Sequence, residues 1–207
     1  MRLEHRIFIV SIVAITWLVF AYVFGLPDSY IKGLQPFGLS ITASTIVWFL
    51  YDKWLWKFKV FHGWLTRLPN IQGCWKVEFI SSFIDPNTGK AVNPTLGYAQ
   101  IDQTSSQTKI RMYTAESMSE SQFTEFQLDM KTFKLSSQYL NRPQLRYQPN
   151  SGPHRGTSYY EIRGYNPKEF AGEYWTDRLT SGSVKFLSKL GKGISSYEDG
   201  QKLESTL

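Results

Sequence analysis

The chain has 207 residues, which is enough for one ordinary domain plus an additional segment. Its net charge is +6, and +4 of that charge falls within the first 68 residues, beside the most apolar segments. This distribution favours contact with an anionic membrane surface and disfavours binding of a nucleic-acid polymer, which requires a continuous basic track. A single cysteine, Cys74, excludes an internal disulfide framework, and three histidines in unrelated places predict no metal site and no cofactor.

The first apolar segment runs from Ile7 to Phe24 and contains 18 residues without a charge. At about 1.5 Å per residue, a helix of this length spans roughly 27 Å, close to the thickness of the hydrocarbon layer. A cleaved signal peptide is the competing interpretation, but the segment is long for one and lacks a small-x-small cleavage motif at its exit. We therefore predict a transmembrane helix over about 7–24.

A second, weaker apolar segment follows, and we predict a helix over about 37–58. Pro36 suits the first turn of a helix, where its missing N–H is not needed. Gly38, Thr42 and Thr45 fall on one helical face, and such a face permits close approach of transmembrane helices. The face either packs against the first helix or mediates self-association between protomers.

Basic residues flank the two predicted helices on one side only. They precede the first helix and follow the second, whereas the connecting loop contains only Lys32. The positive-inside rule therefore predicts a multi-pass membrane protein with its N-terminus and the following domain in the cytoplasm. A helical apolar stripe then continues to residue 68, formed by Trp54, Phe58, Phe61, Leu65 and Leu68. The stripe lies on the membrane, packs on the following domain or pairs with copies of itself, and the sequence does not choose among these alternatives.

From Gly73 onward the apolar pattern has a period of two, with turn signals between the segments and no helical pattern. We predict eight strands, over 73–82, 96–102, 108–114, 123–130, 133–141, 157–164, 169–178 and 183–189. Eight antiparallel strands predict an all-β domain over 70–190, an up-and-down barrel, with a β-sandwich as the alternative. The segment 191–207 is predicted to be a disordered tail.

The lengths of the predicted connections locate the functional end of the barrel. The long ones cover about 83–95, 115–122 and 142–156, and in an up-and-down barrel all three lie at the end away from Trp75. The loop over 142–156 is basic, and the seventh strand reaches the same end with inward parity for Tyr174, Thr176 and Arg178. Arginine forks, hydroxyls and aromatic rings suit a small ligand with phosphates and planar bases. The candidate ligand-binding residues are Tyr139, Arg146, Tyr147, Arg155, Ser158, Tyr160, Tyr174, Thr176, Arg178 and Thr180.

Other interpretations of these residues stay open. In these interpretations, Arg178 pairs with Asp177 or closes the barrel end, and the basic loop is simply exposed to solvent. The tyrosines are then ordinary core residues. No nucleophile–base pair, paired carboxylates or glycine-rich phosphate loop stands out, so we predict no enzyme.

Two features carry a resemblance to a known family. The opening Gly73-x-Trp75 resembles the start of lipocalin-like barrels, and the segment 172–182, GEYWTDRLTSG, resembles a late-barrel segment of the membrane-disrupting effectors of bacterial CBASS anti-phage systems. The chain is similar in architecture to the CD-NTase-associated protein fifteen family, with two membrane helices before a barrel of roughly 120 residues.

The resemblance implies a function that the residues alone do not. In this family a partner nucleotidyltransferase makes a cyclic dinucleotide after phage infection, and the barrel binds it. Protomers then oligomerise through the membrane region, the inner membrane is disrupted and the infected cell dies. The alternatives are a membrane-anchored, lipocalin-like binder of a lipid or other apolar ligand and a purely structural membrane protein.

Overall fold

Two helices form the N-terminal part of the chain in the computed structural model, which describes residues 3–25, 29–84, 89, 94–129, 132–149, 151–191 and 193–206. Helix α1 is Leu3–Phe24 and helix α2 is Tyr30–Lys53. Helix α2 begins six residues before Pro36, so this proline lies in the interior of the helix and not in its first turn, where the sequence placed it. Among the described residues, one segment, Leu3–Val23, is long and apolar enough to cross a membrane. Crossing by α2 stays a prediction.

The two helices pack through a different face of α2 from the one that carries Gly38, Thr42 and Thr45. Ser40 and Ser44 are buried, whereas all three residues of the predicted face are exposed. The hydroxyl of Thr42 donates to the Gly38 carbonyl, 2.9 Å away, and that of Thr45 donates to the Ile41 carbonyl at 2.8 Å. Packing of this face against α1 is therefore the wrong alternative, and the self-association alternative stays open.

The segment after α2 is not the continuous helix that its apolar stripe indicates. It forms two short 3₁₀ turns, Leu55–Lys57 and Lys59–Phe61. Phe58 and His62 have extended backbone between and after these turns, and Gly63 has a φ of +89°. Each of these conformations interrupts the i to i−4 hydrogen bonding of an α-helix.

Eight antiparallel strands close into a barrel in the order in which they occur in the chain. This confirms the predicted all-β fold and excludes the sandwich alternative. The last strand pairs with the first, so the sheet has no free edge. The strands are β1 Gly73–Ser81, β2 Thr95–Gln103, β3 Thr108–Tyr113, β4 Ser117–Asp129, β5 Thr132–Pro143, β6 His154–Arg163, β7 Phe170–Thr176 and β8 Ser181–Gly191.

Apolar side chains fill one end of the barrel. Trp75 is fully buried, and its indole Nε1 donates to the Ile71 carbonyl at 2.8 Å. The rings of Phe170 and Phe186 stack with centroids 4.0 Å apart, and Phe170 meets Trp75 edge-on. This end is therefore closed, as predicted from the Gly73-x-Trp75 opening.

Strand β4 begins six residues earlier than predicted. The expected loop over 115–122 is instead a tight turn at 114–116 followed by strand, with a bulge between Ser121 and Phe123. The sequence hid this part of the strand because its inward positions are serines, so the apolar alternation that marks a strand is missing there.

The tail contains a third helix, α3, over Tyr197–Ser205, where the sequence predicted disorder. Ser196 caps it by accepting a hydrogen bond from the Asp199 amide at 3.1 Å, and the Asp199 carboxylate accepts from the Ser195 amide at 3.0 Å. The helix packs on the outer face of the barrel, where Glu204 accepts from Lys76 Nζ at 2.5 Å and from the Tyr98 hydroxyl at 2.6 Å. Reciprocal capping and docking on the barrel order a segment whose composition is polar.

Candidate functional site

A cavity of about 230 Å³ opens at the end of the barrel opposite Trp75. The predicted position of the mouth is therefore confirmed. The apolar core forms the floor of the cavity through Ile110, Tyr160 and Val184. The volume lies below the roughly 300–1,000 Å³ typical of pockets that enclose drug-sized ligands. A ligand larger than this volume would therefore occupy the mouth as well as the lumen.

Hydroxyl groups dominate the polar part of the wall. Most come from inward positions on β4, β5 and β6 and from the turn before β4, where each strand contributes every second residue because side chains alternate across a strand; the end of β1 and the start of β2 supply one each. The serines and threonines that line the cavity are Ser81, Thr95, Thr114, Ser117, Ser119, Ser121, Ser137 and Ser158.

Asn141 lies in the middle of this hydroxyl surface. Its side-chain Nδ2 donates to Ser117 Oγ at 3.1 Å and to Ser119 Oγ at 2.8 Å. Ser121 Oγ, by contrast, accepts from the backbone amide of Ile110 at 2.9 Å, so this hydroxyl braces β3 against β4. The amide of Asn141 is thus held by two serines that lie on the neighbouring strand.

Three tyrosines line the lumen beside these hydroxyls, and each lies opposite a glycine on the next strand. The cross-strand pairs are Tyr139 with Gly156, Tyr160 with Gly172 and Tyr174 with Gly182. A Cβ added at Gly156 would lie 2.3 Å from the ring and hydroxyl of Tyr139, and one at Gly182 would lie 2.6 Å from the Tyr174 hydroxyl. The rings therefore lie against the wall and leave the centre of the lumen open.

The hydroxyls of Tyr139 and Tyr160 stay protonated at physiological pH. Burial raises the pKa of both groups above its ordinary value. Each hydroxyl therefore keeps its proton and can donate a hydrogen bond; that of Tyr160 also interacts with Ser158. The sequence predicted Tyr139, Ser158, Tyr160 and Tyr174 as site residues, and the structure brings all four to this cavity.

Arg178 lies outside the lumen, contrary to the parity expected from the sequence. Strand β7 ends at Thr176, and Asp177, Arg178 and Leu179 form a turn in which Leu179 has a φ of +60°. Alternation stops where the strand stops, so Arg178 is exposed at the rim. Thr176 and Thr180, which the sequence also predicted as ligand contacts, do not line the lumen either; their hydroxyl oxygens are 2.6 Å apart and brace the turn.

Arg178 nevertheless reaches across the rim to the β5–β6 loop. Its guanidinium Nη1 donates to Ser151 Oγ at 3.0 Å, and Nη2 lies 3.4 Å from His154 Nε2. His154 in turn lines the cavity. Burial lowers the pKa of His154, the carbonyl of Gly152 opposes this effect, and the charge of Arg178 lowers the pKa further. The imidazole is therefore neutral at pH 7, with Nε2 free to accept from Arg178.

The other predicted basic and aromatic residues of the loop lie away from the lumen. Arg155 does not line the lumen; with Trp175 and Thr176 it lines a second groove that Tyr139 also lines, and its backbone amide donates to the Asp177 carboxylate at 3.0 Å. Arg146 is exposed, and its guanidinium carbon lies 4.7 Å from the centre of the Tyr147 ring. Their roles as ligand contacts stay predictions.

Sequence reasoning missed most of the polar wall, including Asn141 and the serines of β4. A signal was present, since Ser117, Ser119 and Ser121 alternate at the period of a strand. Within the described part of the chain, no group of three or more His, Cys, Asp or Glu side chains is placed to hold a metal ion.

Comparison with known proteins connects this barrel to a receptor family. No curated protein matches the chain. The family model of the Cap15 cyclic dinucleotide receptor domain matches residues 66–187, which include β1 to β7, most of β8 and every residue that lines the lumen. This match spans more than half of the chain. The chain therefore belongs to the Cap15 cyclic dinucleotide receptor domain family.

Proposed function

We propose that this protein is a CBASS effector whose barrel binds a cyclic dinucleotide in the hydroxyl-lined lumen and its mouth. The ligand would be made by a partner nucleotidyltransferase after phage infection. The observation that carries the proposal is a cavity with serine, threonine, asparagine and tyrosine walls in a domain of a dinucleotide-receptor family. Such walls offer hydrogen bonds and ring faces to nucleosides.

The same observation disfavours the alternative of a lipid carrier. An acyl chain would displace water from the hydroxyls of Ser117, Ser119 and Ser137 without offering them a hydrogen-bond partner. Each unsatisfied polar group costs about 1–3 kcal/mol. A nucleotide ligand replaces the lost water contacts, and an apolar ligand does not.

Ligand binding would then promote assembly and membrane disruption. A ligand shifts an equilibrium only through its different affinity for the two states, so it must favour a form of the mouth that contacts another protomer. Leu145 is 82% exposed and Leu179 is 99% exposed, and both lie in the connections at the mouth end. We propose them as protomer contacts, with the exposed Gly38, Thr42 and Thr45 face of α2 completing the contact within the inner membrane.

The binding proposal is tested on two adjacent residues of β5. Ser137 lines the lumen, whereas Ser136 lies on the opposite face of the strand. Ser137→Phe places a ring inside the cavity and is expected to weaken binding of a cyclic dinucleotide at least about 100-fold, because the ring occupies the site. Ser136→Phe is expected to bind as the wild type does. Titration calorimetry of the full-length protein in detergent, with cyclic di-AMP, cyclic di-GMP and a fatty acid as probes, measures the difference.

Two results would contradict the proposal. One is equal dinucleotide affinity of the two variants when both retain the wild-type melting temperature. The other is saturable binding of the fatty acid with no binding of either dinucleotide.

Assembly is measured by sedimentation of the same samples. The sedimentation coefficient of the wild type is expected to increase when the dinucleotide binds, whereas Leu179→Asp is expected to bind the dinucleotide without an increase in its sedimentation coefficient.

A further inference from the structure

We infer that the dinucleotide enters the lumen with a nucleobase foremost and leaves its phosphates at the rim beside Arg178, and that Asn141, Ser117 and Ser119 read the edge of that base. This inference rests on the proposed function, because it assumes that a cyclic dinucleotide is the ligand. It adds an orientation for the ligand and assigns a residue to base selection.

The charges around the cavity support this orientation. Among the described residues that line it, none is a lysine or an arginine, and Glu116 and His154 are the ionisable groups besides the tyrosines. A phosphate moved into this lumen would lose its water without meeting a lysine or arginine side chain of the described lining, which is strongly unfavourable. A nucleobase is uncharged and loses far less.

The rim itself is electrostatically uneven. Arg178 lies in the β7–β8 turn, and Glu116 lies in the β3–β4 turn, four strands away around the barrel. These turns therefore face each other across the mouth. Phosphates are attracted to the side with Arg178 and repelled from the side with Glu116. The base then points toward the wall formed by β4 and β5.

That wall presents a preorganised hydrogen-bonding surface. Both hydrogen bonds that the described residues make to the Asn141 amide involve its Nδ2, which donates to two serine oxygens and leaves Oδ1 as the acceptor of this surface. Ser119 accepts from Asn141 and retains its own hydroxyl proton for donation. One acceptor flanked by donors matches a base edge on which an N–H group lies beside a ring nitrogen or carbonyl oxygen.

The tyrosines complete the site for a planar group. Tyr139 and Tyr174 lie against Gly156 and Gly182, and both line the lumen, where they offer aromatic surface to a planar group. Stacking on such faces is tolerant of base identity. Selection among bases is thus left to Asn141 and its serines.

The test separates base reading from phosphate binding. Full-length protein in detergent is titrated with cyclic di-AMP, cyclic di-GMP and cyclic di-UMP at low and high NaCl. Asn141→Leu is expected to change the affinity ratios among the three probes by about 5- to 150-fold while keeping the wild-type salt dependence. Arg178→Gln is expected to weaken all three probes by a similar factor of about tenfold and to reduce the salt dependence.

Ser119→Ala is the second variant, because it removes one hydroxyl from the surface and leaves the Asn141 side chain in place. It is expected to change the probe ratios in the same direction as Asn141→Leu. The inference is overturned if the probe ratios stay at wild-type values in both lumen variants, or if Arg178→Gln leaves the salt dependence unchanged. Absence of saturable binding of every probe by the wild type would instead overturn the proposed function.

Discussion

His154 is the titratable residue that connects the lumen to Arg178. In the free protein, burial lowers the pKa of His154, and the charge of Arg178 lowers it further. The hydrogen bond to the Gly152 carbonyl and the charge of Asp177 act in the opposite direction. Phosphates bound beside Arg178 favour the imidazolium form and so raise the pKa of His154. Binding then takes up a fraction of a proton at mildly acidic pH.

Dinucleotide affinity is therefore expected to rise as the pH falls below about 6.5, the ordinary pKa of histidine. We expect a slope of about threefold per pH unit, below the tenfold limit for uptake of one proton. The measurement is affinity against pH for the wild type and for His154→Gln, which is expected to be flat. A wild-type affinity that is constant or falls on acidification would contradict phosphates at this side of the rim.

At the residue scale, the sequence was informative where alternation held. It placed Tyr139, Ser158, Tyr160 and Tyr174 inside the barrel because each lies within a regular strand. It misplaced Arg178 because alternation was extended two residues beyond the end of β7, into a turn. The geometry of this turn depends on two contacts that exist only in the folded chain. Arg178 donates to Ser151, which is distant in the sequence, and Thr180 contacts Thr176 across the hairpin.

At the scale of the elements, α3 shows how a polar tail is held on the barrel. Gly200 lies against the Tyr98 ring, where an added Cβ would be 2.2 Å from the ring. Hydrogen bonds from Lys76 and then Tyr98 lower the pKa of Glu204 below its ordinary 4.5. The contribution of this carboxylate to stability is therefore present above about pH 4.5 and is lost as the pH falls through the lower pKa of the folded state.

Glu204→Gln is expected to weaken α3 docking by about 0.5–1 kcal/mol, since the ion pair is partly exposed. Hydrogen exchange of the amides of residues 194–206 in the full-length protein measures this as a loss of protection of roughly two- to fivefold. Glu198→Gln, in the exposed first turn of α3, is the control and is expected to change protection less. If adding Lys76→Gln to Glu204→Gln doubles the loss, the two side chains act independently and the pairing is not what holds the helix.

The elements also differ in how well their limits could be predicted. Strands with apolar inward positions, such as β1, were located within one or two residues, whereas the first half of β4 was missed because its inward side chains are serines. The capping pair Ser196 and Asp199 was visible in the sequence, but the docking surface that stabilises α3 is assembled from β1 and β2. Local signals alone do not predict a helix of nine residues.

At the scale of the whole molecule, the barrel divides into an apolar end around Trp75 and a hydroxyl-lined end that opens to solvent. The apolar end stabilises the fold, and the polar end is free to carry the site. The sequence predicted the barrel, the mouth and the resemblance to a dinucleotide receptor. It did not predict that the described residues lining the lumen include no arginine, because that depends on where each strand ends.

The methionines allow the central claim to be tested within one sample. Met112 lines the cavity, whereas Met118 lies outside it, packed with Tyr98 and Tyr113 on the outer face. Full-length protein labelled with ¹³C at the methionine methyl groups is titrated with a cyclic dinucleotide in detergent and followed by NMR. A ligand in the lumen is expected to shift the Met112 methyl resonance in a saturable manner and to leave that of Met118 unchanged. Saturable dinucleotide binding with an unchanged Met112 resonance would contradict a lumenal site.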